Sequence, residues 1–135
     1  ELINENIELT NVAIEVVRGD VLTADFYDAI LDDSYDCWVS NPPYIPNSEK
    51  NLMSNNVLDY EPHMALFVED NDPLIFYREI ARNALNKLKK NGSLFFEIHE
   101  NLADGVITIL KDFNFVNIEL RKDLQGKDRM IRAIK

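Results

Sequence analysis

The tetrapeptide Asn41-Pro42-Pro43-Tyr44, one residue after the apolar run Cys37-Trp38-Val39, gathers hydrogen-bond acceptors where the backbone has almost no donors. Proline lacks an N–H and fixes φ, and a residue ahead of proline is driven toward extended geometry. The carbonyls of Asn41 and Pro42 and the side-chain oxygen of Asn41 can therefore converge on one small donor, and an amide or exocyclic amine fits that description. A side-chain amide is a poor nucleophile because its nitrogen lone pair is delocalised into the carbonyl. Acceptors aimed at its N–H bonds would orient it and stabilise the positive charge that develops when nitrogen takes up an alkyl group. The plain alternative is a Pro-Pro loop after a buried strand, and the four residues alone leave the two readings level.

Other reactive groups are sparse. His63 and His99 have no acidic or thiol companions at metal-ligand spacing, so no metal site is expected. Cys37 is the single cysteine, which excludes an internal disulfide, fits a reducing compartment and, in its apolar run, reads as a core residue rather than a nucleophile.

The elements that must position the tetrapeptide alternate between strand and helix, the signature of an α/β domain with a mainly parallel sheet. Ala13 to Val17 reads as a strand ending at Gly19-Asp20. Tyr35 to Val39 reads as a second that stops where the prolines forbid pairing, and Ser93 to Ile98 as a third. Phe115 to Leu120 and Met130 to Ile134 make a closing pair around Gln125-Gly126-Lys127-Asp128. Asp72-Pro73 supplies an N-cap and first turn for a helix with Tyr77, Ile80, Ala81, Ala84, Leu85 and Leu88 on one face, ended by Asn91-Gly92. Leu102, Val106, Ile109, Leu110 and Phe113 trace a second amphipathic helix.

The chain has 135 residues, 46% hydrophobic and 28% charged, enough to bury a substantial core. It contains neither an apolar run of about 20 residues nor a basic-then-apolar leader, so a cytoplasmic location is expected and a membrane is not. A formal net charge of −10 weighs against a nucleic-acid partner and favours protein. Arg78, Arg82, Lys87, Lys89 and Lys90 fall on one predicted helix, and a solvated cationic face near its negative end is the expected reading.

Taken in order, the motifs resemble the N5-glutamine methyltransferases that modify peptide-chain release factors, the HemK/PrmC-like proteins. The resemblance runs through Gly19-Asp20-Val21, Val39 to Ile45, Leu58-Asp59-Tyr60-Glu61-Pro62, Asp72-Pro73-Leu74, Phe96-Glu97-Ile98 and Asp123 to Arg129. Two departures stand out: His99 replaces a usual glycine, and Val68-Glu69-Asp70 replaces a usual glycine pair. The resemblance implies a Rossmann-like class I methyltransferase fold, a mainly parallel sheet with a closing antiparallel pair, and S-adenosylmethionine as methyl donor. By resemblance, Asp20 and Val21 would receive the cofactor's adenine, with Asn41 also near the cofactor. Asn41, Pro42 and Tyr44 would do the chemistry, with Pro43 holding the turn and Glu61 and Pro62 closing over the substrate. Asp20 also reads as a solvated turn aspartate, and Glu97 at a strand end and Asp128-Arg129 in the late turn read equally as structural or as functional groups.

The four glycines are isolated, so the glycine-rich cofactor loop and ribose-binding acid of such folds are not among these residues. The resemblance thus implies the C-terminal part of one methyltransferase domain, truncated on its N-terminal side, its helical domain absent. Cofactor binding no tighter than roughly millimolar is expected of it alone. Loss of the family's first strands would leave the Tyr35–Val39 strand with an open edge, an invitation to homo-oligomers. A nucleic-acid amino-methyltransferase using the same tetrapeptide and a non-catalytic truncated domain stay open as alternatives.

Overall fold

A computed structural model describes residues 2–10, 12–52 and 62–135. Its main sheet contains β1 (Tyr35–Ser40), β4 (Leu88–Glu97), β5 (Val116–Lys122) and β6 (Asp128–Ile134) in the spatial order β1-β4-β6-β5. Two further strands, β2 (Ile45–Pro46) and β3 (Phe67–Val68), form a separate parallel pair. The helices are α1 (Leu2–Thr10), α2 (Ala24–Asp28), α3 (His63–Leu66), α4 (Ile75–Lys87) and α5 (Ala103–Asp112), with a 3-10 turn at Asn47–Leu52.

β1 runs parallel to β4, with Trp38 opposite Leu94 and Ser40 opposite Phe96. β4 and β5 both pair antiparallel with β6, which is the expected closing hairpin. Strand side chains alternate between faces. One face of β4 and β6 therefore presents Leu94, Phe96, Ile131 and Ala133, all buried, to Tyr77, Ile80 and Ala84 of α4 and Val106 and Leu110 of α5. Tyr77 meets Phe96 edge-on at 5.2 Å between ring centroids. The opposite face carries Val39, Phe95 and Arg132 in one row across three strands, and Val39 is 80% exposed.

Several expectations are corrected. Ala13 to Val17 forms no strand; residues 12–20 have no regular secondary structure, and β1 is consequently an edge of the sheet. Cys37 is exposed rather than core, because it lies on the uncovered face of that edge strand. Asp72 is not an N-cap. The residue flanking α4 is Leu74, and Asp72 instead forms a two-point pair with Arg78 at 2.9 and 3.0 Å.

α4 stops at Lys87 rather than at Asn91, since Leu88 already begins β4 and Asn91 adopts φ +66°. The expected cationic face is thereby dispersed. Lys87 is buried, donating to the Ile30 carbonyl and pairing with Asp32, each at 2.7 Å, while Lys89 sits on β4 and pairs with Asp36. Arg82 pairs with Glu79.

Leu94 lies at the centre of the buried face. Leu94→Ala should cost about 2–5 kcal/mol of unfolding free energy in urea titration, the usual result of emptying a core leucine site. A loss below about 1 kcal/mol would place the core elsewhere.

Candidate functional site

β1 delivers the tetrapeptide. Pairing with β4 ends at Ser40, and the prolines that follow cannot extend the ladder, so Asn41 emerges exposed at the strand's carboxyl end while Pro42 is buried beneath it. Open α/β sheets bind ligands at such ends. Asn41 stands on the rim of a groove of about 720 Å³ on the uncovered sheet face, whose walls include Phe95, Glu97, Met130 and Arg132.

Tyr44 closes the far end of the tetrapeptide. Its hydroxyl donates to Glu97 Oε1 at 2.8 Å, and its ring meets His99 edge-on with centroids 6.1 Å apart. Burial pushes the Tyr44 phenol above its usual value; the hydrogen bond to Glu97 and that carboxylate's charge push further, against an opposing effect of Arg129.

Glu97 is the hub. Its own backbone carbonyl accepts from the Tyr77 hydroxyl at 3.2 Å, which anchors the end of β4 to α4. Arg129 reaches the same region from β6, donating to the Ile98 carbonyl at 3.2 Å and to Asp123 Oδ2 at 3.3 Å. Asp123 in turn accepts from the amides of Gln125 and Lys127 at 2.8 and 3.0 Å, folding the β5–β6 turn in which Gly126 takes φ +82°. The Lys127 amide is the largest influence holding the Asp123 carboxyl below its ordinary range, ahead of the Gln125 amide and Arg129. Asp128 pairs with Lys122 at 3.0 Å across the hairpin, away from these groups. The pattern from Asp123 to Arg129 thus makes a turn that carries one guanidinium toward Glu97.

The segment after Tyr44 is pinned to the strand ahead of α4. Ile45 pairs with Phe67, Asn47 donates to Glu69 at 3.2 Å, and Ser48 gives both its amide and its hydroxyl to Asp70 at 3.0 and 2.8 Å. Glu49 lies 3.4 Å from His99. Two positions where the chain departs from the resemblance, His99 and the Glu69-Asp70 pair, therefore both fasten this segment.

Asp20 is exposed and its Oδ1 accepts from the Leu22 amide at 2.9 Å, the turn role open to any such aspartate. Val21 lines a cavity of about 300 Å³ together with Val39 and Ser40 near the end of β1. Pro62 is exposed and its carbonyl accepts from Ala65 at 2.8 Å, whereas Glu61 lies outside the described residues. Among the described residues no cluster of three or more His, Cys, Asp or Glu could hold a metal ion.

Tyr44 supplies a direct titration. Its folded value lies above that of the unfolded chain, so the stability it contributes is complete below the ordinary phenol value of about 10 and is lost as pH rises through the folded value. The 295 nm absorbance step removed by Tyr44→Phe should lie above pH about 10. A step at or below that value would contradict the bond to Glu97.

No protein-family model matches the chain. It is 44% identical over 129 residues to the release factor glutamine methyltransferase of Flavobacterium psychrophilum, covering 96% of this chain and 44% of that protein. Identity to the release factor glutamine methyltransferase of Bacteroides thetaiotaomicron is 41%, over 96% of this chain and 45% of the relative. The bifunctional methyltransferase of Rickettsia bellii is 34% identical over 97% of this chain and 26% of its own length. A solved protein-(glutamine-N5) methyltransferase from Alicyclobacillus acidocaldarius superimposes with a TM-score of 0.45 at 28% identity, over 74% of this chain and 48% of that one. The chain spans less than half the length of these relatives. Nearly all of its own residues align with one part of these proteins, so over its length the chain is similar to the release factor glutamine methyltransferases.

Proposed function

We propose that this chain carries the acceptor-amide side of an S-adenosylmethionine-dependent methyltransferase that modifies the side-chain nitrogen of a glutamine in a peptide-chain release factor. One observation carries the reading: Asn41 is exposed at the carboxyl end of a parallel strand, on the rim of an open groove, with Pro42 buried behind it and Tyr44 fixed by Glu97. Asn41 Oδ1 and the Asn41 and Pro42 carbonyls accept the two amide N–H bonds, turning the nitrogen lone pair toward the incoming methyl. The same acceptors stabilise the positive charge on nitrogen as the bond forms. The methylated nitrogen is then acidic enough to lose its proton to water, so no side chain here acts as general base.

The cofactor supplies a methyl group on a positively charged sulfur, which leaves as a thioether when the new N–C bond forms. Asp20 would accept from its adenine amino group and Val21 would pack on the ring, a reading supported by the cavity that Val21 lines with Val39 and Ser40 at the end of β1. Pro43 keeps the turn rigid, and Pro62, with Glu61, is placed in sequence to cover the substrate. Protein rather than nucleic acid as substrate is supported by the net charge of −10 and by the engagement of Arg78, Arg82, Lys87 and Lys89 with acidic partners. The reaction belongs in the cytoplasm, where release factors act; no described helix is long and apolar enough to cross a membrane.

In the full-length protein, Asn41→Ala should lower methyl transfer to the release factor by two to three orders of magnitude, about the scale of one lost transition-state contact. Undiminished transfer, or efficient methylation of DNA adenine with the release factor untouched, would refute the reading. The open edge of β1, with Val39 80% exposed, further supports self-association of the isolated chain. Light scattering should show a dimer or larger species that Val39→Lys disperses. A monomer in both cases would refute that pairing.

A further inference from the structure

We propose that Glu97 is a positioning residue for methyl transfer: by holding the Tyr44 hydroxyl it fixes the ring, and through two consecutive prolines the acceptor carbonyls, at the end of β1. The inference rests on the functional reading above and names what makes its site rigid. Tyr44 and Glu97 stand 53 residues apart in sequence and meet at 2.8 Å. Between the Asn41 carbonyl and the Tyr44 ring lie Pro42 and Pro43, each with φ locked near −65°. Few soft torsions remain there, so clamping the ring clamps the carbonyls two and three residues earlier.

The surroundings leave Glu97 to this task. A carboxylate at a strand end ordinarily pairs closely with a neighbouring cation, yet Arg129, whose charge is felt by both Glu97 and Tyr44, makes its close hydrogen bonds to Asp123 and to the Ile98 carbonyl. Among the described residues Glu97 forms no ion pair within 4.0 Å, and its Oε1 takes the phenol. The backbone beneath it is pinned twice, by Tyr77 on the Glu97 carbonyl and by Ile98, whose amide donates to the Arg129 carbonyl at 2.9 Å. The carboxylate is thus offered from a fixed platform to a ring on a stiff arm. It also lines the groove beside Asn41, which puts the clamp within the site itself.

The test is a double-mutant cycle in the full-length protein with a release factor and S-adenosylmethionine. Methylation by the unmutated protein establishes the functional reading first, and its absence would overturn that reading and this inference with it. With activity present, Glu97→Gln and Tyr44→Phe should each lower kcat about tenfold, the scale of one charge-assisted hydrogen bond, while KM for the cofactor stays within about twofold. Combined, they should lower kcat no further than the worse single change, because both break one link. Independent, multiplying losses, or an unchanged kcat in Glu97→Gln, would overturn the positioning role and leave the functional reading standing.

A second readout needs no turnover. Glu97→Gln should lower the pH at which Tyr44 ionises, followed by ring-labelled tyrosine NMR, with the fold retained. An unmoved titration would show that the hydroxyl is not held by the carboxylate, and would equally overturn the proposal.

Discussion

Parallel pairing of β1 with β4, in the register that sets Ser40 against Phe96, determines where every polar group of the site can be. The ladder ends at Ser40 because Pro42 and Pro43 have no amide to continue it. Glu97 is the next residue of β4, so the carboxylate and the tetrapeptide leave the sheet at the same level. The antiparallel partner β6 sets Met130 against Glu97, which brings Arg129 to the same level from the other side. Shifting either ladder by one residue would turn these side chains to the wrong face and bury the wrong half of β4.

The two faces of the sheet divide the labour. One is sealed by α4 and α5 over Leu94, Phe96, Ile131 and Ala133, and holds the strands in place. The other remains open around Val39, Phe95 and Arg132, and the groove with Asn41 at its rim belongs to it. Tyr77 links the halves: its ring is packed in the sealed core while its hydroxyl reaches the Glu97 carbonyl. Stability and site geometry therefore share a residue, and loosening the core would loosen the arm that carries Asn41.

How much of this was legible in the sequence depends on whether the signal was local. Helical periodicity gave α4 and α5, and the tight turn around Gly126 gave the closing hairpin, because each is written in neighbouring residues. The apolar run at Ala13 to Val17 read as a strand but pairs with no strand among the described residues, and strand preference without pairing does not make a strand. Asp72 had the composition of a cap, yet a guanidinium six residues on competed for it and won. The cationic helix face dispersed for a similar reason, since Leu88 was claimed by β4 and Lys87 by the Ile30 carbonyl and Asp32.

The site showed the same division. The lack of backbone donors at Asn41 to Tyr44 suggested an acceptor rim, but the four residues alone fitted a plain loop equally well. Glu97 and Arg129 could not, because nothing local tells a carboxylate that its partner is a phenol 53 residues away. The one signal was indirect: an aspartate, a glycine and an arginine within seven residues, Asp123 to Arg129, which is the composition of a turn built to aim a side chain.

A crystal structure of the full-length protein with a glutamine-containing release-factor peptide tests the central claim most directly. The glutamine side-chain nitrogen should lie within hydrogen-bond distance, about 3 Å, of Asn41 Oδ1 and the Pro42 carbonyl, with Tyr44 still bonded to Glu97. A glutamine amide bound elsewhere, with that acceptor rim turned away from it, would contradict the claim that this rim exists to hold an amide.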